Sequence, residues 1–339
     1  MNKIHITMNN KFLTYILSAL LFVFPIHLLF IFLKNLLYDL EIFKARKVDA
    51  KVVSIGNIAL GGTGKTPTTI AIANFLEKKG YAVGIVTRGH GRENISNSFL
   101  LKGHGWKECG DEVILLKNNT SSNTHIFVSL DKVYAAEQLS NMGCDIILLD
   151  DGFQHRRIHR DIDIVLLGPE NQNKKWQLIY PYGLLREPYC YLRRADITIS
   201  TKSNLTKSTN PRSDYTLSLE IKKEVISSGS IKNIHDLENK SGVISVCSIG
   251  DPESFSKTLS NINIDVNKNL VFPDHWPFSL SDIEKINRLA LKEGLEHIVC
   301  TEKDFVKLLE FKNVLNVDVN AVVMKHDLSE EIEQDILSR

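Results

Sequence analysis

Six consecutive residues, Gly61-Gly62-Thr63-Gly64-Lys65-Thr66, could grip a chain of phosphates. Glycines let backbone N–H groups curl around phosphate oxygens without Cβ clashes, and a helix starting there turns its positive end toward the anion. In that arrangement Lys65 reaches the β- and γ-phosphates of a nucleoside triphosphate, and the Thr66 hydroxyl holds Mg²⁺. The match to G-x-x-x-x-G-K-[ST] lacks its first glycine, because Ala59 stands there. A second element, Ile146-Ile147-Leu148-Leu149-Asp150-Asp151, reads as an apolar strand ending in two carboxylates. P-loop enzymes place such an acid on a neighbouring strand to bind Mg²⁺ directly or through water. Two adjacent acids imply divided roles, one on the metal and one orienting a lysine, a water or the acceptor.

Beyond that strand, His155, Arg156, Arg157, His159 and Arg160 form a cationic segment. Ligands of open α/β sheets bind past the carboxyl ends of the strands, so this segment could meet an anionic acceptor, or be a solvated basic loop. Asp111, in Gly110-Asp111-Glu112, precedes the apolar run Val113 to Leu116. It is either a helix N-cap or a base that takes a proton from an acceptor hydroxyl.

The elements around these residues alternate. A β-branched run from Lys51 to Gly56 reads as a strand, and Pro67 to Lys79 as a helix stopped by Gly80. The residues from Tyr81 to Thr87 form the next strand, which completes a βαβ unit and implies a parallel sheet. Strands follow near 126–128, 145–149, 162–167 and 197–200, with a helix at 132–142. A polar stretch near 202–213 marks a boundary, residues 215–226 look like a small β connector, and a second alternating unit starts at Gly242. The expected fold is a P-loop NTPase-like parallel sheet with helices on both faces, residues 41–204. It is followed by a β linker over 205–240, then a smaller α/β domain over 241–339.

The 339 residues suit about two domains. A hydrophobic share of 43% beside 24% charged residues describes a folded chain, and the net charge of +1 gives no field favouring nucleic acid. Five dispersed cysteines, without a C-x-x-C pair, argue against a zinc site or a disulfide framework and fit a reducing compartment. The 22 uncharged residues from Phe12 to Leu33 would span about 33 Å as a helix, the thickness of a bilayer core. Within residues 1–40 we therefore expect a membrane-associated helix, with Pro25 and His27 permitting a kinked or shallow one. Lys34, Lys44, Arg46, Lys47 and Lys51 follow it, against Lys3 and Lys11 before it, which places the bulk of the chain in the cytoplasm.

The motif set resembles the tetraacyldisaccharide 4'-kinase family of lipid A biosynthesis. The matching blocks are Gly56-Asn57-Ile58 before the Gly-rich turn, Thr87-Arg88-Gly89-His90-Gly91 and Gly110-Asp111-Glu112. They continue with Asp150-Asp151-Gly152-Phe153-Gln154-His155, Gly183-Leu184-Leu185-Arg186-Glu187, Phe272-Pro273-Asp274-His275 and Thr301-Glu302-Lys303-Asp304. His90 stands where Tyr is more usual, and Trp276 where a second His is common. The resemblance implies an ATP- and Mg²⁺-dependent kinase acting on the 4'-hydroxyl of a tetraacylated glucosamine disaccharide 1-phosphate. Its place would be the cytoplasmic face of the bacterial inner membrane, with no nucleic acid and no obligate protein partner.

By motif, Asn57, Gly61, Gly62, Thr63, Gly64, Lys65 and Thr66 bind nucleotide, while Thr66, Asp150, Asp151 and Glu187 are the metal candidates. Asp111 becomes the base, supported by His275, with Lys65 and Asp151 also catalytic. Arg88, His155, Arg156 and Arg186 are the substrate-side candidates. A membrane-tethered P-loop switch acting on protein partners is the competing class, and a GTP-reading version needs an N/T-K-x-D motif. Thr201-Lys202-Ser203-Asn204 comes close, with Asn in place of Asp. A soluble nucleotide kinase whose apolar N-terminus packs internally is the third.

Overall fold

The computed structural model describes residues 26–339 apart from 169–177, 181, 203, 205–209, 228–229, 239 and 241. Near-continuous apolar runs build the first sheet, because strands covered on both faces need no polar side. Its strands are β1 (Lys51–Asn57), β2 (Val83–Thr87), β3 (Phe99–Leu100), β4 (His125–Val128), β5 (Ile146–Asp150), β6 (Ile162–Leu167), β7 (Ile197–Thr201) and β8 (Tyr215–Leu217). They lie in the order β3-β4-β2-β5-β1-β6-β7-β8. All pairs are parallel except β3 with β4, so the sheet is mixed and not wholly parallel as expected.

Helix α1 covers residues 26–39. Next come α2 (Lys65–Lys78), α3 (Trp106–Cys109), α4 (Asp111–Asn119) and α5 (Lys132–Asn141). One face of the sheet packs Ile72, Phe75 and Leu76 of α2 and Val113 and Leu116 of α4 against Val53, Ile55, Ile85 and Leu148. The opposite face packs Ala135, Ala136 and Leu139 of α5 against Val52, Val86, Ile147 and Leu149. Successive strand residues thus enter opposite cores, as the period of two requires.

The second sheet has the order β10-β9-β14-β13-β11-β12. It comprises β9 (Leu219–Ser227), β10 (Ser230–Asn233), β11 (Val243–Cys247), β12 (Lys268–Val271), β13 (His297–Thr301) and β14 (Asp318–His326). Four strands run parallel, and β9 and β10 add antiparallel edges. The segment expected to be a separate β linker instead supplies strands to both sheets: β8 extends the first and β9 pairs with β14. An unpaired strand would leave its backbone groups open, so each strand joins the nearest available edge. The last helix, Glu330–Ser338, belongs to the smaller unit by sequence but buries Ile332 and Ile336 in the core of the first sheet.

Most of the expected membrane segment falls on residues 1–25, outside the described residues. Among the described residues no helix is long and apolar enough to cross a membrane. Helix α1 nevertheless exposes Ile26, Leu29, Phe30, Phe32 and Leu33 while burying Ile31 and Asn35.

Candidate active site

The Gly-rich turn leaves the centre of the first sheet, where β1 lies between β5 and β6. Ile55 pairs with Asp150 in the β1–β5 register, so the turn and the acidic pair emerge from the same edge. Gly64 caps α2 with φ 80°, and a Cβ there would sit 2.6 Å from Cε1 of the His326 ring. Only glycine suits both constraints. Two hydrogen bonds brace the loop. Asn57 Nδ2 donates to Thr63 Oγ1 at 2.8 Å, and Thr201 Oγ1 donates to the Thr63 carbonyl at 2.9 Å. The His326 Nδ1 lies 2.9 Å from Thr68 Oγ1 on α2. The turn lines a cleft of about 590 Å³ together with Arg88, Asp150, Asp151, Arg186 and His275.

The two acids differ sharply in environment. Asp151, at φ 52°, receives Arg186 Nη1 on both carboxylate oxygens, at 2.8 and 2.9 Å, and lies 3.8 Å from Lys65 Nζ. Burial alone would raise its pKa, but Lys65, Arg186 and Lys132 outweigh that and hold it well below the usual carboxylate range. Asp150 is held by Thr87 Oγ1 at 3.2 Å, and its Oδ1 is buried without a hydrogen-bond partner. Burial, then the charge of Glu112, pushes it up to about 6. An orphaned buried carboxylate oxygen in the cleft that Thr66 also lines is the donor chemistry a hard divalent cation takes, so these two residues fit Mg²⁺. Beneath the pair, the fully buried Lys132 donates to the Asp151 carbonyl at 2.7 Å and to the Asp150 carbonyl. Burial lowers its pKa to about 8, against the raising influence of both acids.

A second pair joins a helix packed on the first sheet to a loop of the second. Asp111 is the first residue of α4, with Gly110 as N-cap, so it is not itself the cap. Its Oδ1 and Oδ2 lie 2.9 and 3.1 Å from Nδ1 of His275, from the loop after β12. Oδ1 also accepts the Glu112 backbone N–H at 2.8 Å, and Lys307 Nζ lies 3.3 Å from Oδ2. Burial would raise the Asp111 pKa, yet the His275 hydrogen bond and the charges of Lys303, His275 and Lys307 hold it well below the ordinary range. His275 has φ 57°, a strained conformation for a residue with a side chain, and His90 stacks on its ring at 4.4 Å. The His found at the usual Tyr position therefore keeps an aromatic platform against His275.

Other expected site residues are placed elsewhere. Glu187 does not line the cleft; it is buried against Arg194 Nη2 at 2.7 Å and Asn35 Nδ2 at 3.2 Å. Its Oε1 is buried without a hydrogen-bond partner, but the Arg194 pairing and its place outside the cleft do not present it to a metal bound beside the Gly-rich turn. Arg156 points to α1, donating to Asp39 at 2.7 Å and the Asn35 carbonyl at 3.0 Å. His155 is half-buried outside the cleft, and burial with the nearby Lys132 and Arg88 charges lowers its pKa to about 3. Arg88 is exposed in the cleft. Asn204 exchanges hydrogen bonds with both backbone groups of Leu219, so the near-miss base-reading motif does not offer it to a nucleotide. Sequence reasoning missed Lys132, Lys307, Ser248 and His326. Lys307 alone carried a signal, one helical turn after Asp304 of the Thr301-Glu302-Lys303-Asp304 block.

A family model described as tetraacyldisaccharide-1-P 4'-kinase matches residues 16–339. A tetraacyldisaccharide 4'-kinase from Syntrophus aciditrophicus is 33% identical over 302 residues, covering 81% of this chain and 80% of that protein. One from Halothermothrix orenii is 31% identical over 351 residues, covering 94% and 90%. Among solved structures, LpxK from Aquifex aeolicus in complex with ATP superposes with a TM-score of 0.73 at 27% identity, over 95% of this chain and 98% of that one.

Proposed function

The chain belongs to the tetraacyldisaccharide-1-P 4'-kinase family, and from that premise we propose that it transfers the γ-phosphoryl group of ATP to the 4'-hydroxyl of a tetraacylated glucosamine disaccharide 1-phosphate. The observation that supports this reading is that the phosphate-gripping turn and His275, whose ring is held by Asp111, line one cleft. Phosphoryl transfer asks little covalent chemistry of a protein; it asks for position and charge neutralisation.

With Nδ1 engaged by Asp111, the His275 ring has Nε2 left to take the 4'-hydroxyl proton. Asp111, whose oxygens are already filled, orients the ring and stabilises the imidazolium. This exchanges the roles expected from sequence, where Asp111 was the base. The sugar oxygen then bonds to the γ-phosphorus, the bond to the β–γ bridging oxygen breaks, and ADP leaves. Lys65 spreads the developing negative charge, and Arg186 keeps Asp151 in place beside it. Mg²⁺ held by Thr66 and Asp150 would supply further neutralisation at the phosphates.

We place this reaction at the cytoplasmic face of the inner membrane. An acceptor with four acyl chains leaves a bilayer at a cost of about 0.8 kcal/mol per CH₂ exposed. The exposed apolar residues of α1 and the nearby Ile42 and Phe43 support an enzyme that works from the membrane surface. Radiolabelled ATP with the purified protein and a detergent-solubilised lipid A precursor tests the reading. Labelled lipid is the expected result; release of free phosphate without labelled lipid would overturn it.

A further inference from the structure

Asp111 starts a helix packed on the first sheet and His275 lies in a loop of the second, so something must hold both at once. Ser248, Asp304 and Lys307 do so, and all are buried, with exposures of 0, 0 and 1%. Lys307 Nζ donates one hydrogen bond, to Ser248 Oγ at 2.7 Å, and lies within ion-pair distance of two carboxylates, Asp304 Oδ1 at 3.0 Å and Asp111 Oδ2 at 3.3 Å. Asp304 is fixed in turn: Thr301 Oγ1 and the Ser248 backbone N–H donate to its Oδ2, and Ser248 Oγ donates to Oδ1. The Ser248 carbonyl accepts the backbone N–H of His275 at 3.1 Å. One cluster therefore grips the strained main chain of His275 and, through Lys307, the carboxylate that orients its ring.

We propose that Lys307 is a positioning residue for phosphoryl transfer, the cation by which the second sheet locks Asp111 into register with His275. It touches no substrate atom in this assignment. A buried ammonium held between two buried carboxylates and a serine hydroxyl fixes them far more rigidly than an exposed ion pair does. The assignment rests on the dyad reading above. Lys307 also moderates how much of the Asp111 charge His275 feels. The other charged groups around the pair are Glu112 and Lys303, which join at 3.0 Å, together with Asp274 and Asp304, while His90 covers the ring.

The test compares Lys307→Met with the double variant Lys307→Met/Asp304→Asn, which removes the buried carboxylate that the single change leaves unpaired. The double variant stays informative if the single one does not fold. In a folded variant kcat is expected to fall by about 100-fold while KM for ATP stays within twofold. A folded double variant with kcat within threefold of wild type overturns the inference, as does a rise in KM for ATP that matches the fall in kcat. His275→Ala run alongside separates the two readings. If it retains activity, the dyad itself fails; if it is inactive while the Lys307 variants are active, only the role of Lys307 fails.

Discussion

The donor and acceptor halves of the cleft are built in opposite ways. Asn57 to Thr66 is one short stretch, and its main side-chain brace, Asn57 to Thr63, spans six residues. The dyad joins residues 164 positions apart, and Asp111 meets Lys307 across a still longer separation. A local loop is specified by its own glycines, whereas the dyad exists only while two sheets keep their relative position. The donor half takes distant support only from Thr201 and His326, so a change in the dyad is expected to alter turnover more than nucleotide affinity.

The largest expected effect follows from that asymmetry. His275→Ala should lower kcat by about 10³-fold, within the usual range for a lost general base, and leave ATP affinity within twofold. Asp111→Asn should produce a smaller kcat loss with the same unchanged affinity. Steady-state kinetics with nucleotide titration measure both, and a matching loss of ATP affinity would show that the halves are not separable.

Gly64→Ala attacks the other half. A Cβ there meets the His326 ring at 2.6 Å from a backbone at φ 80°. Strain of about 1–3 kcal/mol is expected, read as a KM for ATP raised about tenfold or more. If the ring is the obstacle, Gly64→Ala combined with His326→Ala should recover part of the loss. No recovery would assign the effect to φ alone.

His326 also gives the donor half a pH signature. Burial, helped by the Lys202 charge, lowers its pKa from 6.5 to about 3. Neutral in the fold below pH 6.5, it is protonated in the unfolded chain, so stability falls as pH drops from about 6.5 toward 3. At pH 5 this amounts to about 2 kcal/mol. His326→Asn, which can keep a bond to Thr68, should flatten that part of the stability curve in denaturant titrations at pH 7 and pH 5. An unchanged slope would remove His326 as its source.

The same contrast explains what could be read from the sequence. The Gly-rich turn, β1, α2 and the Asp150-Asp151 strand carry local signatures, with glycine for left-handed φ and apolar runs for buried parallel strands. Asp111 was visible as a candidate, but its partner His275 entered only through family resemblance, since no periodicity links the start of α4 to a loop after β12. Lys132 and His326 were silent because a buried cation or imidazole looks in sequence like any surface one, and Lys307 showed only its spacing from Asp304. Glu187 was misplaced for the converse reason. Its motif neighbour Arg186 does reach Asp151, while the adjacent side chain is taken by Arg194.

The smallest expected effect bears on how the acceptor half is kept together. Glu112 on α4 and Lys303 after β13 join the two sheets at 3.0 Å, with side-chain exposures of 25 and 18%. A partly exposed pair loses much of its Coulomb energy to solvent, so a double-mutant cycle of Glu112→Gln and Lys303→Met should give a stability coupling of roughly 0.5–1 kcal/mol, weaker at high salt. The buried Lys307 cluster, not this pair, would then carry the alignment of the dyad. The cycle should accordingly leave kcat within a few-fold of wild type. A coupling that appears in kcat and exceeds the stability term would move the alignment role to Glu112 and Lys303, and the difference between the two halves would then rest on the cleft surface and not on its buried floor.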